Sequence, residues 1–157
     1  MLSVVHFLQI SDSGLSYSAI ERERKEFRMN CAKKIKNDFV PPKHSVIHFD
    51  GKLLSDLSGD FGDRLAVHVS GNTEQCKSGF ILSAELIKDG TGESQSLEVL
   101  RILNEWKLSA NLMGMVFDTC SANTGWVSGA ATKIEQGLSR PLLWFFYQRP
   151  HLLNYKS

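Results

Sequence analysis

Asn111-Leu-Met-Gly-Met-Val-Phe-Asp118 is the stretch on which the fold turns. It is an unbroken apolar run, short enough for a strand and closed by an acid. That texture suits a strand buried on both faces in parallel pairing, where no solvent-facing side exists to demand alternation. A parallel partner requires a crossover, so the elements on either side decide the architecture.

Upstream, the spacing predicts a helix over roughly 93–108. Leu97, Leu100, Leu103 and Trp106 recur every three residues, with Val99 and Ile102 widening the face. Three strand signals precede it. Ser45-Val-Ile-His-Phe-Asp50 alternates and runs into Asp50-Gly51-Lys52. Arg64 to Ser70 is closed by Gly71-Asn72, and Gly79 to Ile87 by Asp89-Gly90. Three strands with modest connections predict an antiparallel meander. Downstream, a loop over 119–128 leads to a short helix over 129–138 with Ala130, Ile134 and Leu138 inward. A final strand, Leu142-Leu-Trp-Phe-Phe-Tyr147, starts after Pro141. The order is strand, strand, strand, helix, strand, helix, strand, an α/β chain that a plain doubly wound fold does not produce. It is the order of the ribonuclease H-like mixed sheet. That fold carries one acid on its first strand and another at the end of its fourth, where Asp50 and Asp118 stand.

The amino-terminal part reads differently. Ser18 and Glu21 form a capping-box pattern, and Ile20, Phe27, Cys31, Ile35 and Phe39 then trace a narrow helical stripe. Cations occupy much of the remainder, Arg24, Lys25 and Arg28 among them. Acids lie early and lysines late, as the helix dipole favours. Pro41-Pro42 ends the element. The expected division is a basic amphipathic helix within residues 1–40 and a partial ribonuclease H-like domain over 41–157.

Composition sets outer limits. The chain has 157 residues, enough for one domain with a real core, and its 42% hydrophobic and 22% charged content is that of a globular protein. A formal charge of +1 gives no global pull toward nucleic acid or membrane, so any such partner must meet a local patch. Cys31, Cys76 and Cys120 fit no zinc spacing and read as reduced thiols. Met1 to Ile10 lacks a basic leader and a cleavage site and is too short to span a bilayer. An intracellular chain without a membrane partner is expected, nuclear if it acts on DNA.

Carboxylates converging from separate strands suit hard divalent cations and two-metal phosphoryl transfer. Neighbouring first and fourth strands would let Asp50 and Asp118 share a cation. Taken singly, each acid reads rather as a turn residue, since Asp50-Gly51 is a common turn pair and Asp118 precedes a Ser/Thr-rich loop; both standing at the acid positions of one fold reverses that reading. Gly90-Thr-Gly92 lacks the phosphate-loop spacing and reads as a tight loop. Trp106 and the run Trp144 to Tyr147 read as core, and Trp126, in a loop, as the better candidate for stacking on bases.

Several stretches carry a resemblance. His48-Phe-Asp-Gly-Lys-Leu-Leu54, Asp63-Arg-Leu-Ala-Val67, Gly90-Thr-Gly-Glu93 and Phe117-Asp-Thr-Cys-Ser-Ala-Asn-Thr-Gly125 resemble hAT-type transposases, as do Gly129-Ala130, Glu135 and Leu142-Leu-Trp144. The similarity runs from about Ile20 onward and is most specific around Asp118. It implies an interrupted ribonuclease H-like domain with an Asp-Asp-Glu triad, Mg²⁺ or Mn²⁺ as cofactor and DNA as substrate. Asp50 and Asp118 would be both catalytic residues and metal ligands. It also implies a C-x-x-H pair. Gln148-Arg-Pro-His-Leu-Leu-Asn-Tyr155 matches that segment at His151, Leu153 and Asn154, but Gln148 replaces the cysteine. The family's final Glu lies beyond a long insertion, and this sequence stops at Ser157 before reaching it. The expectation is therefore a catalytically incomplete or degenerate transposase domain, with Trp126 and His151 near DNA. A competing expectation is a non-enzymatic module that binds DNA through Arg24, Lys25 and Arg28, or binds a parent transposase or itself. A third is a product without function.

Overall fold

The computed structural model describes residues 16–55 and 61–147. The backbone divides into two units, Met1–Phe39 and Val40–Ser157. In the first, α1 (Tyr17–Asn37) is capped by Ser16, whose Oγ accepts from the Ala19 N–H at 3.3 Å. The cap is therefore two residues earlier than the Ser18–Glu21 box. Lys34 and Lys36 occupy the last turn, where they face the carbonyl end of the dipole. No α1 side chain is buried; Tyr17, Phe27 and Ile35 are exposed. Of the predicted apolar stripe, Phe27 and Ile35 are left exposed among the described residues, whereas Phe39, beyond the helix, is buried.

The second unit holds a five-stranded mixed sheet. Its strands are β1 (Ser45–Ser55), β2 (Phe61–Gly71), β3 (Phe80–Leu86), β4 (Leu112–Asp118) and β5 (Leu143–Tyr147), in the spatial order β3-β2-β1-β4-β5. β1, β2 and β3 form the expected antiparallel meander, whereas β4 runs parallel to both β1 and β5. The helices α2 (Gly92–Glu105), α3 (Ser121–Thr124) and α4 (Ala130–Leu138) supply the crossovers. α3 is a single turn inside a stretch that reads as loop from sequence. Among the described residues no helix is long and apolar enough to cross a membrane.

Alternation fixes which side chains reach the core. Ile47 and Phe49 of β1, Leu65, Val67 and Val69 of β2, and Met115 and Phe117 of β4 all point to one face and are buried. Phe117 is the largest of the fully buried side chains; such a ring contributes roughly 1.5–3 kcal/mol by leaving water. It touches Phe49, Trp144 and Phe146 at ring separations of 5.3, 5.6 and 5.6 Å. α2 and α4 cover this face with Val99, Ile102, Leu103, Ala130, Ala131 and Ile134. The buried side of α2 follows i, i+3, i+4 through Gln95, Ser96, Val99, Ile102 and Leu103, so Leu97 is left exposed instead of packed. Phe145 and Phe146 are likewise half outside, because β5 is the last strand of the described sheet.

β4 carries a bulge. Ser45 pairs with Leu112 but Val46 with Gly114, so Met113 is an extra residue. The bulge lets Leu112 and Met115, three apart and otherwise on opposite faces, both point into the core.

Candidate functional site

The connections from β1 and β4 leave in opposite directions. β1 turns toward β2 on one side, and β4 crosses through α3 and α4 to β5 on the other. Such a switch point opens a crevice at the carboxyl ends of neighbouring parallel strands, and open α/β sheets bind ligands there. Asp118 ends β4 at this place, and Asp50 lies on β1 two residues beyond its last pair with β4.

Their phase follows from pairing. The last paired position between β1 and β4 is His48 with Val116, and Phe49 stacks on Phe117 one step further. Continuing that register sets Asp50 level with Asp118, both on the face opposite the core. Adjacent strands lie roughly 4.8 Å apart, so the two side chains leave neighbouring backbones. Both acids line one open cleft of about 150 Å³, together with His48, His68 and Val116. Asp50 is exposed and Asp118 half-buried. Asp50-Gly51 is not a turn: β1 continues to Ser55, with Asp50 paired to Ala66 and Gly51 to Leu65. Gly51 is needed on the core side, where a Cβ would press on the Gln95 side chain at 3.2 Å.

Asp118 is held from below. Its Oδ1 accepts from Asn123 Nδ2 at 2.5 Å and from the Cys120 N–H at 3.4 Å. Asn123 lies on α3 and is 2% exposed. The Cys120 thiol is pushed above its ordinary range, first by burial and then by its hydrogen bond with Asp118, which argues against a reactive thiolate. All three cysteines are free.

Two histidines floor the cleft on the β1–β2 side. His48 and His68 are cross-strand partners with rings 6.3 Å apart. His48 Nε2 meets Ser70 Oγ at 2.9 Å. Burial, and then repulsion from His68, pushes His48 below the usual imidazole range. It is therefore neutral at pH 7 and adds no positive charge beside the acids.

Close backbone packing positions α3. A Cβ on Gly92, at the start of α2, would lie 2.5 Å from the Ala122 carbonyl and 2.3 Å from that of Ser128. Thr91 caps α2, its Oγ1 accepting from the Ser94 N–H, and Asp89 braces Thr91 in turn. Hydrogen bonds from Ser94 and Thr91 hold the Asp89 carboxyl at about 2. Gly90-Thr91-Gly92 is thus a capped helix start packed against α3, in keeping with the tight loop read from sequence. Lys133 of α4 pairs with Glu93 beside it.

The remaining candidates fall elsewhere. Trp126 is 94% exposed at the tip of a turn closed by the Gly129 N–H on the Gly125 carbonyl at 2.9 Å. Arg24, Lys25 and Arg28 are exposed on α1, with Arg24 3.6 Å from Glu21. His151 lies outside the described residues. Asn123 and His48 stand within the stretches that carry the resemblance but receive no role from the sequence, and His68 is not singled out there; His48 and His68 line the cleft, and Asn123 meets Asp118. The signal for Asn123 was its place five residues after a strand-ending acid, close enough for one turn to bring it back. Among the described residues no three His, Cys, Asp or Glu side chains converge on a metal position. No protein-family model matches the chain, and no curated protein sequence does.

Proposed function

We propose that the Val40–Ser157 unit is a ribonuclease H-like domain of hAT-transposase type, and that Asp50 and Asp118 hold a divalent cation for phosphoryl transfer on DNA. The observation that carries this reading is that both acids line one cleft at the switch point between β1 and β4. The strand order and the motifs around His48–Leu54 and Phe117–Gly125 support it. The donor set fits Mg²⁺ or Mn²⁺: two carboxylates offer hard oxygen ligands, and Mg²⁺ commonly takes one or two carboxylates and completes its shell with water and substrate phosphate. A bound cation would supply Lewis acidity toward a phosphate oxygen. The chain's own part is to present the two carboxylates in phase and keep His48 uncharged beside them. Asp50 and Asp118 are the only acids of the cleft among the described residues, so cation binding without strand cleavage is the expected behaviour.

Mn²⁺ titration followed by electron paramagnetic resonance tests it. Asp50→Asn and Asp118→Asn should each weaken binding at least about tenfold, since each removes one of two charged ligands. Binding unchanged in both variants refutes the assignment.

A second reading, a non-enzymatic DNA-binding module, is favoured by one observation. α1 buries none of its side chains while displaying Arg24, Lys25 and Arg28. Phosphate contacts make affinity fall steeply with salt. Reversing these three charges should abolish salt-sensitive binding to a DNA duplex. Failure of the wild-type chain to bind DNA even at low salt removes this reading.

A further inference from the structure

We infer that Asn123 is a positioning residue, which orients the Asp118 carboxylate for cation binding. This rests on the two-acid reading above and adds a residue that touches neither cation nor substrate.

Three observations converge on it. First, Asn123 is 2% exposed, yet it is placed on a one-turn helix immediately after the strand that ends in Asp118. Second, its Nδ2 donates both to the Asp118 carboxylate, at 2.5 Å, and to the Asp118 carbonyl, at 3.5 Å, so a single amide grips side chain and backbone of the same residue. Third, its Oδ1 is buried and meets no hydrogen-bond partner among the described residues. An apolar side chain would fill this position without leaving a buried acceptor unmet, which is costly. The amide cannot be reversed to relieve that cost, because its oxygen would then face the Asp118 carboxylate and acceptor would meet acceptor. The arrangement gives up hydrogen bonding on one side of Asn123 to secure a donor on the other. Residues that hold a ligating carboxylate are frequent tuning points of metal sites, and their loss typically costs about 10–100-fold in affinity.

The surrounding backbone explains how one amide can set a carboxylate. α3 is clamped between the start of α2, through Gly92 against Ala122, and the 125–129 turn, where a Cβ on Gly129 would lie 2.7 Å from the Asn123 carbonyl. Asn123 therefore cannot follow Asp118 if that side chain rotates. The carboxylate must instead settle against a fixed donor.

The test is a double-mutant cycle on Mn²⁺ affinity, with a metal-free readout beside it. Asn123→Ala and Asn123→Ser, checked for folding by circular dichroism, should bind Mn²⁺ about 10–100-fold more weakly than wild type. Either change should add nothing in an Asp118→Asn background. In the metal-free protein the Asn123 side-chain amide resonances should shift between wild type and Asp118→Asn, because the hydrogen bond to the carboxylate is lost. A purely space-filling role would not produce this coupling. Wild-type Mn²⁺ affinity in both Asn123 variants, or equal losses with and without Asp118, overturns the positioning role. If the amide resonances track Asp118 but wild type binds no Mn²⁺, the cation reading fails while the Asn123–Asp118 coupling stands; resonances indifferent to Asp118 refute the coupling itself.

Discussion

Replacing Gly92 by alanine should damage the protein out of proportion to one methyl group. The added Cβ would lie 2.3 Å from the Ser128 carbonyl oxygen, 2.5 Å from that of Ala122 and 2.8 Å from the Ala130 nitrogen. All three are backbone atoms, so no side-chain rotation relieves the clash. Either α2 or the α3–α4 segment must move by about an ångström. Overpacking of this kind costs typically about 1–3 kcal/mol, and backbone obstruction favours the upper end. Alanine recovers roughly 0.5–1 kcal/mol through its better helix propensity. The net loss is about 2 kcal/mol. At roughly 4 °C per kcal/mol for a domain of this size, thermal melting should drop by about 8 °C. Gly90→Ala is the control, because its Cβ meets only the Asp63 carboxylate, at 3.4 Å or more. Differential scanning calorimetry of the three proteins decides the matter. Gly92→Ala melting with wild type, or Gly90→Ala losing as much, would show that the close approach of α2 to α3 is not a constraint.

Two further outcomes follow from the site's surroundings. Glu135 Oε1 accepts from the Leu142 N–H at 2.7 Å and from Trp144 Nε1 at 2.9 Å, tying α4 to β5. Glu135→Ala strands both donors, and urea unfolding should register a loss of about 2 kcal/mol, whereas Glu135→Gln should retain part of it; a loss within error of zero would mean that water replaces the carboxylate. His48 titrates below its ordinary value in the folded chain, so the unfolded chain takes up the proton first as pH falls. Its contribution is complete above the unfolded value of about 6.5 and is lost as pH drops through the folded value. His48→Gln should therefore lose less stability than wild type between pH 7.5 and 5, and equal losses would assign the acid sensitivity to other groups.

The sheet was legible because its signals are local. The alternation around Ile47 and Phe49, the apolar run ending at Asp118 and the turn residues between strands each depend on a few neighbours. Parallel pairing of β4 with β1 could be argued from the two-faced apolar character of Leu112–Phe117. Helix faces were less legible. Leu97 fits a three-residue repeat, yet the core accepts Gln95 and Ser96 instead, because Gln95 Nε2 reaches the Gly90 carbonyl at 2.9 Å. A buried amide satisfied by a loop carbonyl leaves no hydrophobic trace in the sequence. The same applies at the site. Asp50 and Asp118 could be singled out by type and place, whereas Asn123 acts through a single turn within an apparent loop. Reading Asp50-Gly51 as a turn failed as well: the glycine answers to Gln95 across the core, a contact 44 residues away in the chain.

The bulge at Met113 has a bearing on how the chain could change over time. β4 has two obligations, to send Leu112, Met115 and Phe117 inward and to deliver Asp118 on the outer face opposite Asp50. A strand without the extra residue can index only one of its ends correctly. Loss of Met113 would force a choice between withdrawing Leu112 from the interior and sliding the strand by one, which presents Phe117 to the cleft in place of Asp118. Met113 itself is half exposed and contributes little to packing, so its chemistry is free to vary while its presence is not. Substitutions there should be tolerated, and a single-codon deletion should not.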